Sequence, residues 1–137
     1  MAVTQAVCLT FKEDLFNGVH QPGDDYAIAL YDSATATLNK STTAYTATGE
    51  VSGLGYTAGG KSLTGRRVGS SADLRYLTFD NPVWTTSTIT ADAALIYNKT
   101  RSNKALGVLK FTTASSVNGP FTIQLPAVGA TALFRIP

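Results

Sequence analysis

Tyr26-Ala-Ile-Ala-Leu-Tyr31 sets Tyr26, Ile28 and Leu30 on one face of an extended chain and Ala27, Ala29 and Tyr31 on the other, because successive strand side chains point to opposite sides. Neither face carries a charge. Both are therefore expected to be at least partly covered, and the segment reads as a central strand. Working outward from it, His20-Gln-Pro-Gly23 breaks the chain on the N-terminal side. Before that break, Thr10 and Glu13 have capping-box spacing, Phe11, Leu15 and Val19 recur at four-residue steps, and Gly18 stands where a left-handed cap belongs. The spacing predicts one short helix near residues 10–18, with Phe11, Leu15 and Phe16 held against something larger, since two turns are marginal alone.

Downstream, helical spacing does not return. Residues 33–60 are rich in Thr, Ala and Gly; Thr43–Thr48 is a short strand candidate, and the glycines at 49, 53, 55, 59 and 60 mark turns. Lys61–Val68 and Leu74–Phe79 read as a hairpin around Gly69-Ser-Ser-Ala72, with a weak spot at Gly65, closed by Asp80-Asn-Pro82. Val83-Trp84 and Ser87–Thr90 lead into Ala93–Tyr97. That run is expected to pair antiparallel with Ala105–Phe111 across the polar connection 98–103. Phe121–Leu125 and Thr131–Ile136 complete seven to nine strands. The pattern predicts one all-β domain over 1–137, an antiparallel two-sheet sandwich of jelly-roll or other Greek-key type.

The composition agrees with one domain: 137 residues, 15% charged, 44% hydrophobic, with 20 Thr and 10 Ser filling the polar share. A net charge of +2 with scattered carriers gives no reason to expect a nucleic-acid partner. No apolar run reaches the ~20 residues of a membrane span, no signal-peptide pattern opens the chain, and one cysteine excludes an intrachain disulfide framework. A reducing cytosol is the expected place of synthesis. On that expectation the sequons at Asn39 and Asn98 read as loop composition.

Gly55-Tyr-Thr-Ala-Gly-Gly-Lys61-Ser62 matches the phosphate-loop pattern. That loop needs a buried strand before it and a helix after it, because the helix N-terminus and consecutive amides hold the phosphates. Thr48–Leu54 is no continuous apolar strand, and Gly65 and Gly69 interrupt the downstream flank, so the segment reads as a Gly-rich turn. His20, the only histidine, reads as an exposed loop residue, Cys8 as a small core hydrophobe, and Asp24-Asp25 as a turn terminus. Glu13 and Glu50 have no evident carboxylate partner. No catalytic, cofactor or metal constellation is expected, and the chain is read as a non-enzyme. The six tyrosines read mainly as packing, with saccharide stacking as the rival. Arg66 and Arg67 form the densest basic spot, which Arg75, Lys61 and Lys110 could join; Arg66, Arg67 and Arg75 are the candidate partner-binding residues, with a solvated strand edge as the rival reading.

The order Phe11–His20, Tyr26–Tyr31, Ala44–Gly60, Ala93–Tyr97 and Phe121–Pro126 resembles small virion proteins of tailed bacteriophages, most specifically in Glu50-Val-Ser-Gly-Leu-Gly-Tyr-Thr-Ala-Gly-Gly60. By similarity to capsid decoration or cementing proteins, the resemblance implies a β-sandwich made in the host cytoplasm and placed on the virion. It would bind the outside of the capsid across junctions of the major capsid protein, as a dimer or trimer. The alternative within the same setting is a tail, baseplate or fibre-associated module that helps attach the particle to its host.

Overall fold

A computed structural model describes residues 5–126 and 133–136. The fold is all-β, with antiparallel sheets in a sandwich-like arrangement and one short helix. In chain order the elements are β1 (Ala6–Val7), α1 (Leu9–Phe16), β2 (Tyr26–Tyr31), β3 (Lys61–Ser62), β4 (Arg67–Ser71) and β5 (Leu74–Thr78). There follow β6 (Val83–Ser87), β7 (Thr90–Asn98), a 3-10 turn (Lys99–Arg101), β8 (Lys104–Ser115), β9 (Gly119–Thr122) and β10 (Phe134–Ile136). They form a five-stranded sheet ordered β1-β8-β7-β2-β3, a three-stranded sheet β10-β5-β4, and the pair β6-β9.

β2 lies inside the large sheet with all six residues buried, as the absence of charge on either face predicts. Its register with β7 pairs Ala27 with Tyr97, Ala29 with Leu95 and Tyr31 with Ala93 on one face, and Tyr26 with Asn98 and Ile28 with Ile96 on the other. The first face is covered by the long segment after β2, whose Tyr45 ring stacks 5.0 Å from that of Tyr97. The second meets the smaller sheets: Phe79 lies 5.6 Å from Tyr26, and Ile96 lines one small cavity with Leu77, Leu125 and Phe134. A Cβ at Gly107 of β8 would touch the Phe134 ring, so this glycine makes room for a core aromatic.

Several sequence expectations are corrected. The helix starts at Leu9 with Cys8 as its N-cap and no side-chain cap hydrogen bond, so Thr10 and Glu13 do not form a capping box. Gly18 does take the left-handed conformation, at φ 65°. Phe11 is buried, but Leu15 and Phe16 face outward, the latter 96% exposed. A stretch of eight residues turns only one narrow stripe inward, here Phe11 and Asp14. Thr43–Thr48 makes no strand; Ala44 contributes only an isolated bridge to Lys104. Lys61–Val68 is not one arm, because Lys61-Ser62 pairs with β2 while Arg67 begins the pairing with β5. Gly65, at φ 68°, separates the two. Ten strands are present among the described residues; the two-residue β1 and β3 are too short to show a period. Of the expected final strand, residues 131–132 lie outside the described residues, and β10 occupies Phe134–Ile136.

The β4–β5 hairpin turns through Ala72-Asp73, with Ser71 opposite Leu74 and Ala72 at φ 52°. An L-residue in that region costs about 1 kcal/mol or more, of which glycine returns part as unfolded-chain entropy. Ala72→Gly is therefore expected to raise stability by about 0.5 kcal/mol, read as a higher denaturation midpoint at unchanged slope.

Candidate functional site

The three arginines of the expected partner site are not assembled into one patch. Arg66 precedes β4 and lays its guanidinium over the Tyr26 ring, 5.8 Å from the centroid. Arg67 donates to Asp80 at 2.8 Å and to the Gly65 carbonyl at 2.9 Å. Arg75 donates to the carbonyl of Leu74 at its own turn. The register puts Thr78 opposite Arg67 and Arg75 opposite Ser70, three positions apart along β4, so Arg67 and Arg75 occupy opposite faces of the hairpin. Lys61 is elsewhere, donating to the Val83 carbonyl and standing 5.6 Å from the Trp84 ring, and Lys110 pairs with Asp92 on β7. Arg66 lies before the strand and packs on Tyr26, Arg67 lies in it, and the turn position separates Arg75.

Two buried polar networks were not legible in the sequence. The first corrects the reading of His20 as exposed: its side chain is 3% exposed. His20 Nε2 meets Asp14 at 3.3 Å, and Nδ1 meets the Asn98 amide nitrogen at 2.9 Å. Asn98 Oδ1 accepts from the Thr100 N–H, so its nitrogen faces His20 and Asp24. An amide nitrogen only donates; Nδ1 therefore accepts, and the ring proton sits on Nε2 toward Asp14. Asp24 is gripped by Arg101 through Nε at 2.8 Å and Nη2 at 3.0 Å. The chain thus ties α1 and the turn after it to the end of β7. Burial lowers the pKa of His20 from its ordinary value against the opposing pull of Asp14. Hydrogen bonds from Arg101 hold the Asp24 carboxyl well below the usual carboxylate range. Asn98, one of the two sequon residues, is fully buried here.

The second network explains the Gly-rich stretch. Glu50 accepts from the Tyr45 hydroxyl at 2.6 Å, the Tyr56 hydroxyl at 2.6 Å and the Gly59 N–H at 2.8 Å. Tyr97 donates to the Gly59 carbonyl and Tyr31 to the Thr46 carbonyl, while Tyr56 accepts from the Leu30 N–H. Burial, then Glu50, pushes Tyr45 up to about 12, and the same two causes push Tyr97 up to about 12. The phenols thus stay protonated as donors. Gly60 lies so close to β2 that a Cβ would strike the Ile28 carbonyl, and Lys61 begins a strand instead of a helix. The phosphate-loop pattern is a loop lashed to the sheet by tyrosines, and its lysine is spent on Val83.

Cys8 is wholly buried, and burial pushes its thiol up to about 11, the behaviour of a core residue. Among the described residues no three His, Cys, Asp or Glu side chains are grouped to hold a metal ion. An open cleft of about 570 Å³ lies between the loop 49–52 and the ends of β7 and β8. Thr88, Thr90, Ser115 and Ser116 give it a hydroxyl-rich wall, and Val117 forms part of its lining. Leu54, bridged to Thr88, and Val117 are 64% and 77% exposed beside it. The chain matches no family model, no curated protein and no solved structure.

Two outcomes are expected. Glu50→Ala strands two phenols and an amide and should cost about 2–3 kcal/mol with loss of near-UV tyrosine signal, against about 0.5 kcal/mol or less for the exposed Glu13→Ala, both read by denaturant unfolding. With pH the sign follows from linkage. A lowered histidine pKa means that the unfolded chain takes up the proton first, so stability is full above 6.5 and declines as pH falls below it. The Asp24 contribution persists above its ordinary 3.8 and is lost only below it. His20→Gln should flatten the decline between pH 7 and 5 in unfolding curves. An unchanged slope refutes the assignment.

Proposed function

We propose that the chain is a structural protein of a tailed-bacteriophage virion, a decoration or cementing protein that binds the outside of the head across junctions of the major capsid protein and stabilises the shell. It acts by contact, without a cofactor, and its partners are that protein and further copies of itself. The observation that carries the reading, beside the resemblance of Glu50–Gly60, is the pair Leu54 and Val117. Two large apolar side chains stand in solvent beside a cleft with a hydroxyl-rich wall, whose lining also includes Asp32 and Glu50. They are set on backbone fixed by bridges to the sheet end: Leu54 through Thr88, and the segment after Val117 through the Asn118 N–H to Thr88 Oγ1. Covering each fully would contribute about 1.5–3 kcal/mol. Such contacts are weak singly and sufficient in a repeated array, because whatever binds only the assembled shell shifts its equilibrium by mass action.

This surface replaces the arginine spot as the candidate contact, since Arg67 and Arg75 are engaged with their own chain. Leu54→Asp and Val117→Asp are expected to lower occupancy on expanded heads at least tenfold while leaving thermal unfolding unchanged, measured by co-sedimentation of purified protein with particles. Occupancy unaffected by both changes sinks the reading. Copy number on purified particles separates the two virion positions: hundreds place it on the head, and a few place it on the tail as an attachment module.

A further inference from the structure

Among the described residues β4 is a five-residue strand edge without proline, bulge or free charge, whereas the outer edge of β8 beyond Val108 carries Lys110 and is irregular where Ala91 and Ala93 pair with Ala114 and Lys110. The outer strands β1 and β3 have two residues each and β10 has three. β9 carries Pro120, and β6 is irregular between Trp84 and Ser87. Natural proteins blunt edges by just these means, shortness, proline and bulges, or by charge. β4 has five residues, Arg67-Val-Gly-Ser-Ser71, exposed at every position but Gly69, with Val68 62% exposed. Its one charge, Arg67, is turned back onto Gly65 and Asp80.

The hairpin register states which groups the edge offers. Ser71 pairs with Leu74 across a two-residue turn, and such a turn closes on a hydrogen-bonded pair. Alternation then makes Gly69–Tyr76 and Arg67–Thr78 the hydrogen-bonded pairs, and turns the N–H and C=O of Val68 and Ser70 away from β5. Unpaired outward groups at alternate positions are a template for another strand.

We propose that β4 pairs antiparallel with β4 of a second copy about a two-fold axis at Gly69, joining two three-stranded sheets into one. Val68 of each copy then lies opposite Ser70 of the other, and about four main-chain hydrogen bonds form. Two features favour a second copy over a foreign strand. A two-fold at Gly69 makes both outward pairs hydrogen-bonded at once, as an isologous contact requires. The two Gly69 residues face each other, and each is overlain by the Tyr76 ring of its own copy, which a Cβ there would touch; the two rings come together over the paired glycines and bury aromatic surface. Like charges are also kept apart, since the pairing sets the two Arg67 residues at opposite ends. The pairing goes beyond the virion reading and does not depend on it, because it is a property of the purified chain.

Two measurements on the full chain test it. In sedimentation, the protein is expected to pass from monomer to dimer as concentration rises. Val68→Pro removes an outward N–H that β5 does not use, and should hold it monomeric with a thermal midpoint within about 3 °C of the parent. The second test reads the register and uses milder changes. Val68→Cys and Ser70→Cys chains, mixed and oxidised, should give the mixed disulfide far in excess of either symmetric one. Opposed positions lie about 5.5 Å apart, while like positions exceed the about 7 Å that a disulfide spans. A chain still monomeric at about 1 mM, or mixed and symmetric disulfides in the statistical ratio, overturns the proposal. Dimers that fail to bind particles would instead count against the virion reading alone.

Discussion

Complete burial of one six-residue strand is the constraint on which the molecule rests. With both faces of β2 hidden, its main-chain groups need partners on both sides, and each face needs a cover. β7 supplies one side over the full length of β2. The other side is supplied piecemeal: β3 pairs with Ala27 and Ile28, Val51 N–H donates to Leu30, and the Tyr56 hydroxyl receives the Leu30 N–H. A Gly-rich segment can do this because it approaches β2 closely, and a carboxylate with three donors around it can keep it there. Glu50 is thus linked to the central strand through Tyr56 and through its own bridge to Tyr31.

The same constraint decided what was legible in the sequence. β2, β7 and the first half of β8 read correctly because burial on one or both faces forces a compositional pattern local to each strand. The hairpin read correctly in outline, but its turn lies at Ala72-Asp73 and not over Gly69–Ala72, since alanine at positive φ is no turn signal. β1 and β3 have two residues each, and two residues have no period. The helix was found from its spacing, yet its inward stripe was misjudged: Asp14 is buried toward His20, while Leu15 and Phe16 are not. Local hydrophobicity could not foresee a carboxylate turned inward to meet a histidine six residues on.

The candidate site was less legible than the fold for a physical reason. A basic patch was inferred from proximity in the chain, and strands scatter neighbours between faces. Asp24 converges with Arg101 across 77 positions, and Glu50 meets Tyr45 and Tyr56, five and six positions away, only because the loop folds back on itself; neither meeting follows a strand or helix period. Leu54 and Val117 likewise come from distant loops, and only Thr88, bridged to Leu54 and bonded to the Asn118 N–H, brings them to one end of the sheet.

The order β1-β8-β7-β2-β3 also governs when the molecule is able to form. Ala6 pairs with Val108 and Tyr26 with Asn98, so the earliest strands of the chain wait for the latest ones. Closing such long loops costs entropy before any contact repays it, and topologies of this kind fold slowly. On the ribosome, β2 emerges some seventy residues before the end of β7, the strand that pairs with it along its whole length. The nascent chain therefore passes about half of its translation with its central strand lacking its main partner, a state in which exposed strand edges invite association.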